Sequence, residues 1–192
     1  MSPCEHLAYD VRAARPGDEA AIARVCREGF ALSSRGLLPP DVIERQAAHY
    51  YDIARVQQEI APHPRDPAWQ GYVVAESSKG VVLGAAGGGV SDGDVGHVLV
   101  LYVDTALRGR GIGTALIAHV TEQQRSAGAA EQWVSVTQGN LLAIPFYRAR
   151  GFVERGELPY VAADSDEPSG TTLRMSRPVS ASRASLRPRT GA

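Results

Sequence analysis

One stretch of the chain limits the fold more than any other: the apolar run 99–103 leads into a glycine-rich loop and then into an apolar helical pattern. Glycines stand at 109, 111 and 113, where the missing side chain lets the backbone bend tightly or lets a ligand approach. The helix is predicted to begin near Gly113 and to direct unpaired N–H groups towards the loop. Arg108 and Arg110 add two permanent cations that suit phosphate oxygens. The stretch therefore predicts an anion site, with a pyrophosphate as its natural ligand.

Two better-known glycine loops do not match these residues. A dinucleotide-binding G-x-G-x-x-G that starts at Gly109 or Gly111 needs its third glycine at position 114 or 116, where the chain has Thr114 and Leu116. A P-loop needs Gly-Lys-Ser/Thr, which is also missing here. On the loop alone, an ordinary glycine-rich turn between strand and helix remains the alternative.

The order Arg108-x-x-Gly111-x-Gly113 resembles the acyl-CoA pyrophosphate loop of the GNAT family, the general-control-type N-acetyltransferases, whose signature is Gln/Arg-x-x-Gly-x-Gly/Ala. A second resemblance lies downstream, between Asn140 and Phe152, where Asn, Ala, Tyr and Gly-Phe follow a spacing that is common in the family. The two motifs agree in order and separation, and the resemblance extends from about residue 11 to residue 177.

The resemblance implies a GNAT-like acyl-CoA N-acyltransferase fold of the α+β (mixed α/β) class. The expected architecture is a central mixed, mostly antiparallel sheet of about six to seven strands, flanked by about four helices. The residues themselves predict the parallel strand pair at its centre, because the apolar strand 97–103 and the strand 132–136 are joined by a helical crossover.

The remaining elements follow from hydrophobic periodicity and turn residues. Strands are predicted at 9–14, 72–75, 81–86, 97–103, 132–136, 152–154 and 171–175, and helices at 19–30, 41–60 and 113–127. Pro145 disfavours a helical Ile144, so the segment that begins at Asn140 is expected to become helical only around Tyr147. The glycine run 87–89 indicates a bulge, a close approach by a ligand or a flexible strand end, and no role is assigned to it.

Length and composition predict one domain with two tails. The chain has 192 residues, 44% of them hydrophobic, and the expected domain spans 9–177 between an N-terminal tail, 1–8, and a disordered Ser/Ala/Arg/Pro-rich tail, 178–192. A formal net charge of −1 argues against nucleic-acid binding, and no apolar run is long enough to cross a membrane or to form a signal sequence.

The two cysteines are expected to be free thiols. Cys4 and Cys26 lack metal-ligand and redox spacing, so we expect a cytoplasmic protein and no metal.

Binding roles for the acyl donor come from the family resemblance. It implies that the central strand separates from its parallel neighbour, which leaves main-chain groups to bind the pantetheine arm and to face the thioester. The Asn140 side chain is expected to bind the pantetheine amide. The residues with implied binding roles are Leu101, Tyr102, Val103, Arg108, Gly109, Arg110, Gly111, Ile112, Gly113, Thr114 and Asn140.

Two residues are candidates for proton transfer. Tyr147 stands where many family members place a tyrosine that protonates the leaving thiolate, and a phenol stays protonated at neutral pH as a general acid requires. His97 stands where related enzymes often have a glutamate that deprotonates the amine, a task that histidine also performs. Each has a structural alternative: Tyr147 as a packing or CoA-binding residue, and His97 as an ordinary strand histidine.

The predicted function is therefore N-acetylation of a primary amine of a small molecule or peptide, with acetyl-CoA as co-substrate. The alternative is a non-catalytic acyl-CoA-binding sensor or partner module. The sequence does not identify the acceptor, and a homodimer is kept as a candidate assembly. Asp164, Asp166 and Glu167 form an acidic loop between the last two strands, which either attracts cationic amines or keeps a surface loop soluble.

Overall fold

The computed structural model describes residues 7–60, 67–91 and 93–179. Predictions for Cys4 and for the tail beyond 179 lie outside the described residues, as does most of the N-terminal tail. The described chain forms a seven-stranded sheet in the order β1-β2-β3-β4-β5-β7-β6. The strands are β1 (Tyr9–Ala13), β2 (Tyr72–Ser77), β3 (Val82–Ser91), β4 (Val95–Val103), β5 (Glu131–Thr137), β6 (Val153–Val161) and β7 (Pro168–Pro178).

All neighbouring strands are antiparallel except β4 and β5, which pair in parallel as predicted. The helices are α1 (Glu19–Ser34), α2 (Pro40–Tyr50), α3 (Ile53–Glu59), α4 (Ile112–Ser126) and α5 (Ala143–Arg148). One apolar core lies between the sheet and α4, and a second core lies between the other face and the helices α1 and α3. The expected mixed, mostly antiparallel fold is confirmed.

The single helix predicted over 41–60 is wrong, because the chain forms two helices there. Tyr51 ends α2 with a non-helical backbone, and Asp52 begins α3 as its N-cap. The Asp52 carboxylate accepts hydrogen bonds from the N–H groups of Ala54 and Arg55. A side chain that satisfies the first N–H groups of a new helix stabilises a break at this point.

The helix around Tyr147 begins earlier than expected, at Ala143. Asn140 stabilises this start, since its side-chain oxygen accepts the N–H groups of Leu142 at 3.0 Å and Ala143 at 2.9 Å. Pro145 lies in the first turn, where its missing N–H has no partner inside the helix in any case. The proline therefore does not delay the helix.

The glycine run 87–89 lies inside β3 and is not a flexible strand end. The pairing with β4 shifts by one residue between Gly87 and Gly88, which confirms the bulge. A Cβ built on Gly89 would lie 2.2 Å from the Ala68 backbone, and one on Gly87 would lie 2.5 Å from the Trp69 ring. The close approach is thus made by the chain itself, which crosses this part of the sheet.

No helix within the described ranges is both long enough and apolar enough to cross a membrane. The predicted domain bounds and the cytoplasmic location stay predictions.

Candidate active site

A wedge-shaped opening separates the two parallel strands at the centre of the sheet. β4 and β5 pair from Val95 and Glu131 only as far as Val98 and Val134. Beyond that point β4 remains paired with β3, and β5 remains paired with β7. The opening forms a cavity of about 590 Å³, bounded by α1, β4, the N-terminus of α4, β5 and α5.

A bulge in β4 marks the point where the strands part. Gly88 pairs with Val98 and Gly87 pairs with Val100, so Leu99 has no partner in β3. Its side chain is 59% exposed and lines the cavity. Because of the extra residue, Val98 packs into the core beneath α4, whereas Val100 packs into the core beneath α1.

The hydrogen-bonding pattern shows which peptide groups of β4 face the opening. The Asp104 N–H donates to the Leu83 carbonyl at 2.8 Å. Since hydrogen-bonded pairs alternate along an antiparallel ladder, Tyr102 pairs towards β3, while Leu101 and Val103 direct their N–H and C=O groups to the other edge. Of the three residues predicted to bind through the main chain, Leu101 and Val103 therefore have peptide groups available to a ligand. Tyr102 uses its peptide groups to pair with β3. It still lines the cavity, and its ring packs edge-on against Tyr51.

The predicted anion loop lies at one end of the cavity. Gly109 and Gly111 have φ values of 77° and 82°, a region that favours glycine, and Gly111 immediately precedes α4. The first N–H groups of this 15-residue helix have no acceptor within the helix and point towards the cavity. The predicted loop residues that line the cavity are Arg108, Gly109, Gly111, Ile112, Gly113 and Thr114. Arg110 is not part of the lining.

Arg150 is a cavity residue that the sequence analysis missed. Its Nη1 donates to the Phe146 carbonyl at 2.7 Å, its other terminal nitrogen bonds the Thr114 hydroxyl, and the guanidinium lies 3.5 Å from the Phe146 ring centroid. The Nε atom is buried and has no partner among the described residues. Burial lowers the pKa of Arg150, as expected for a cation held away from water. Its position three residues after Tyr147, just beyond the end of α5, is the signal in the sequence that could have found it.

Tyr147 lies on α5 with only 6% of its surface exposed, and it lines the cavity. The rings of Phe146 and Phe152 pack edge-on against it, each with its centroid 5.2 Å away. Burial raises the pKa of the phenol well above its ordinary value of 10.0. The side chain is therefore protonated at neutral pH.

His97 lies on β4, one residue before the last parallel pair. Its neighbour Val98 faces α4, and so does Gly96, because a Cβ built there would lie 2.5 Å from Gln124 Oε1. His97 is therefore directed to the other face of the sheet, and it does not line the cavity that contains Tyr147. Its role as a base stays a prediction.

The acidic loop between β6 and β7 is tied to α2. Asp164 makes a 2.6 Å ion pair with Arg45 and accepts a 3.1 Å hydrogen bond from Gln46 Nε2. The hydrogen bond from Arg45 lowers the pKa of Asp164. Asp166 and Glu167 are exposed to solvent. Only part of the predicted acidic group is thus available to attract a ligand.

Within the part of the chain that the structure describes, no three His, Cys, Asp or Glu side chains are grouped so that they could hold a metal ion. Cys26 is buried in the core beneath α1, where desolvation raises the pKa of its thiol.

Comparisons with known proteins agree with this architecture. A model of the acetyltransferase (GNAT) family matches residues 39–152. A mycothiol acetyltransferase of Mycobacterium sp. (strain JLS) is 27% identical over 143 residues, which cover 71% of this chain and 43% of that protein, so the chain spans less than half the length of this relative. A streptothricin acetyltransferase of Streptomyces lavendulae is 29% identical over 180 residues, covering 79% of this chain and 85% of that protein. The crystal structure of the PaiA N-acetyltransferase of Thermoplasma acidophilum in complex with coenzyme A superposes with a TM-score of 0.73 at 17% identity, over 90% of this chain and 99% of that chain.

Proposed function

Because the chain belongs to the GNAT acetyltransferase family, we propose that it transfers the acetyl group of acetyl-CoA to a primary amine of a small molecule or peptide. One observation carries this proposal: the parallel pairing of β4 and β5 ends at Val98 and Val134, and the resulting cavity extends to the N-terminus of α4. A strand edge with unpaired peptide groups and a helix N-terminus in one cavity suit a ligand that has an amide-bearing arm and a diphosphate.

The cavity residues suit this ligand in charge as well as in shape. The N–H groups at the start of α4, together with Arg108, supply donors for the pyrophosphate, and Arg150 adds a positive charge at the cavity wall. The peptide groups of Leu101 and Val103 supply partners for the pantetheine arm. Asn140 uses its side-chain oxygen to cap α5, so its NH₂ group is the part that we assign to a pantetheine carbonyl.

The proposed reaction is direct attack of the neutral amine on the thioester carbonyl carbon. N–H groups at the free edge of β4 stabilise the negative charge that develops on the carbonyl oxygen. As the C–S bond breaks, Tyr147 donates its phenolic proton to the departing sulfur and later regains a proton from solvent. The proton lost by the amine passes to water, with His97 as the candidate base that receives it.

A small-molecule acceptor has the better support. The streptothricin acetyltransferase aligns over most of its own length, so streptothricin is the first acceptor to test. A polyamine and a short basic peptide complete a panel that separates the acceptor classes left open by the sequence. The candidate homodimer and the expected lack of nucleic-acid binding stay predictions.

The experiment is to incubate the purified protein with acetyl-CoA and each amine, to measure release of the CoA thiol, and to identify the acetylated product by mass spectrometry. Turnover with at least one amine is expected. Tight binding of acetyl-CoA without turnover on a broad panel supports the alternative of a non-catalytic acyl-CoA sensor. Absence of acetyl-CoA binding contradicts both.

A further inference from the structure

A fully buried amide lies directly beneath the apex of the opening. Gln124 is 0% exposed. It lies four residues after Val120 in α4 and continues the buried stripe formed by Leu116 and Val120. Its Nε2 donates to the Gly89 carbonyl at 3.2 Å and to the His97 carbonyl at 2.8 Å. These two residues face each other across β3 and β4, next to the bulge. One side chain therefore joins the two strands where β4 changes direction.

The neighbouring strands provide room for this amide. A Cβ built on Gly96 would lie 2.5 Å from Gln124 Oε1, and a Cβ built on Gly88 would lie 3.1 Å from Gln124 Nε2. Gly88 is further restricted, because the same Cβ would lie 1.9 Å from the His97 carbonyl oxygen. Larger residues at either position would displace the amide from the two carbonyls.

A second buried amide connects Gln124 to the other arm of the opening. Gln132, on β5, is also 0% exposed, and its Nε2 donates to Gln124 Oε1 at 2.8 Å. Its own oxygen accepts Nε of Arg177, on β7, at 3.0 Å. Gln132 pairs with Gly96, two residues before the last parallel pair of β4 and β5. The two amides thus link β3, β4, β5 and β7 at the point of divergence.

We propose that Gln124 is a positioning residue for the acyl donor. By holding the two carbonyls beside the bulge, and by being held itself by Gln132, it sets the direction in which β4 leaves β5. That direction determines where the peptide groups of Leu101 and Val103 point. The inference rests on the proposed function, since it assigns to Gln124 the alignment of the strand edge that binds the pantetheine arm.

The physical reason is that a buried polar network becomes unfavourable when one of its members is lost. Replacing Gln124 by Met keeps a similar length but removes the donor that bridges the Gly89 and His97 carbonyls, and it removes the oxygen that accepts Gln132 Nε2. A buried N–H of Gln132 then lacks this acceptor, so the strands must rearrange to satisfy it. The rearrangement acts on β4 next to the bulge. The loop around Gly111 and the first turn of α4 lie at the other end of the cavity and keep their own hydrogen bonds.

The experiment compares two probes by titration calorimetry: CoA, and 3′-phosphoadenosine 5′-diphosphate, which is the nucleotide half of CoA and lacks the pantetheine arm. Gln124→Met is expected to weaken CoA binding about tenfold, or about 1.4 kcal/mol, while the affinity for the nucleotide half stays within about twofold. Gln123→Met is the matched control, since it makes the same change on the neighbouring residue of α4, which is only partly buried and lies outside the hydrogen bonds that join these strands, and it should alter neither affinity.

The inference is overturned if a folded Gln124→Met protein binds both probes more weakly by the same factor, or binds both as the wild type does. If Gln124→Met does not fold, Gln132→Met decides. It removes the hydrogen bond to Gln124, together with the acceptor of Arg177 and the partner of Thr121, and is expected to lower CoA affinity selectively in the same sense. An equal effect of Gln132→Met on both probes also contradicts the proposal. If the wild-type protein binds neither probe, the result contradicts the proposed function itself and not only the role of Gln124.

Discussion

At the scale of single residues, Tyr147 combines burial with access to the cavity. Tyr147→Phe removes the hydroxyl and keeps the ring that packs between Phe146 and Phe152. We expect kcat to fall by about 10²-fold or more, because the leaving thiolate loses its proton donor, with acetyl-CoA affinity almost unchanged. Steady-state kinetics together with calorimetry measure the two effects. A comparable loss of affinity would make Tyr147 a packing or binding residue instead.

The role of His97 is decided by a pH profile. If it accepts the amine proton through water, His97→Ala should flatten the acidic limb of kcat/KM, since that limb reports protonation of the base. His97 is directed away from the cavity that contains Tyr147, so the path between them has to include water. A profile that coincides with that of the wild type identifies His97 as a structural strand residue.

Gly111 tests the anion loop. Its φ of 82° disfavours any side chain, and in Gly111→Glu a carboxylate would occupy the space in front of the first N–H groups of α4. We expect affinity for acetyl-CoA to fall at least about tenfold, measured by calorimetry. Gly128→Glu is the matched control, since Gly128 has a φ of 95° at the other end of α4, with open space around it. Unchanged binding in a folded Gly111→Glu protein would remove the pyrophosphate site.

At the scale of elements, β1, β2 and the start of α1 are held together by one guanidinium. Arg12 bonds Glu76 on β2 through two nitrogens, each at 2.9 Å, and bonds Asp18 before α1 at 2.6 and 3.0 Å. The hydrogen bonds from Arg12 lower the pKa of Glu76. Burial alone would raise the pKa of Asp18, but hydrogen bonds from Arg12 and from the Arg15 N–H outweigh it and lower the pKa. Both carboxylates therefore favour the folded state when they are ionised.

The sign of the pH dependence follows from these shifts. Carboxylates with a lowered pKa add stability above their unfolded pKa of about 4, and this stability is lost as the pH falls through their folded values. Arg12→Met should therefore lower the free energy of unfolding at pH 7 and make it less dependent on pH below about 5. Urea unfolding at several pH values measures both effects. Arg24→Met is the control. It removes an exposed pair with Glu28 and a long pair with Asp104, at 3.6 Å, and should have little effect. An equally steep loss of stability at acid pH in Arg12→Met contradicts the assignment.

The elements also show what a sequence can and cannot predict. The strand, loop and helix from Leu99 to Leu116 were predictable because periodicity and glycine spacing are local signals. The end of pairing at Val98 and the bulge at Leu99 depend on which strands are neighbours in the sheet. Local patterns in the sequence do not reveal that order. β6 was predicted too short. The strand continues through Gly156 and Pro159, residues that usually weaken a strand, because a bulge and its position at the edge of the sheet accommodate them.

The same reasoning explains the missed polar residues. Gln124 is a polar residue at a position of α4 where the buried stripe is otherwise apolar, and this departure is visible in the sequence. Its partners lie on three different strands, and only the fold brings them together around it. Arg150 follows Tyr147 by three residues, in the turn after α5, but only the fold brings it to Thr114. Local patterns thus indicated the loop and the tyrosine, whereas the residues that support them required the tertiary structure.

At the scale of the whole molecule, a formal net charge of −1 gives no overall attraction for a cationic acceptor, so any attraction has to be local. The loop between β6 and β7 carries such a charge, but Asp164 is ion-paired with Arg45, which also pairs with Asp41. The loop is also fixed by Gln46, a residue with 1% exposure whose oxygen accepts the Ala163 N–H at 3.1 Å. Replacing Asp164 would therefore disturb the contact with α2 as well as the charge.

The charge test accordingly uses the exposed pair alone. If the loop attracts cationic amines, Asp166→Asn combined with Glu167→Gln should raise KM for a polyamine or a basic peptide severalfold while leaving kcat unchanged, since only the encounter is altered. The effect should shrink as salt increases, because exposed charges are screened within about 10 Å at 0.1 M. Asp10→Asn, on β1 at the opposite edge of the sheet, is the control for the loss of a surface carboxylate. If KM at low salt is the same for the wild type and the double variant, these carboxylates serve only to keep the loop soluble.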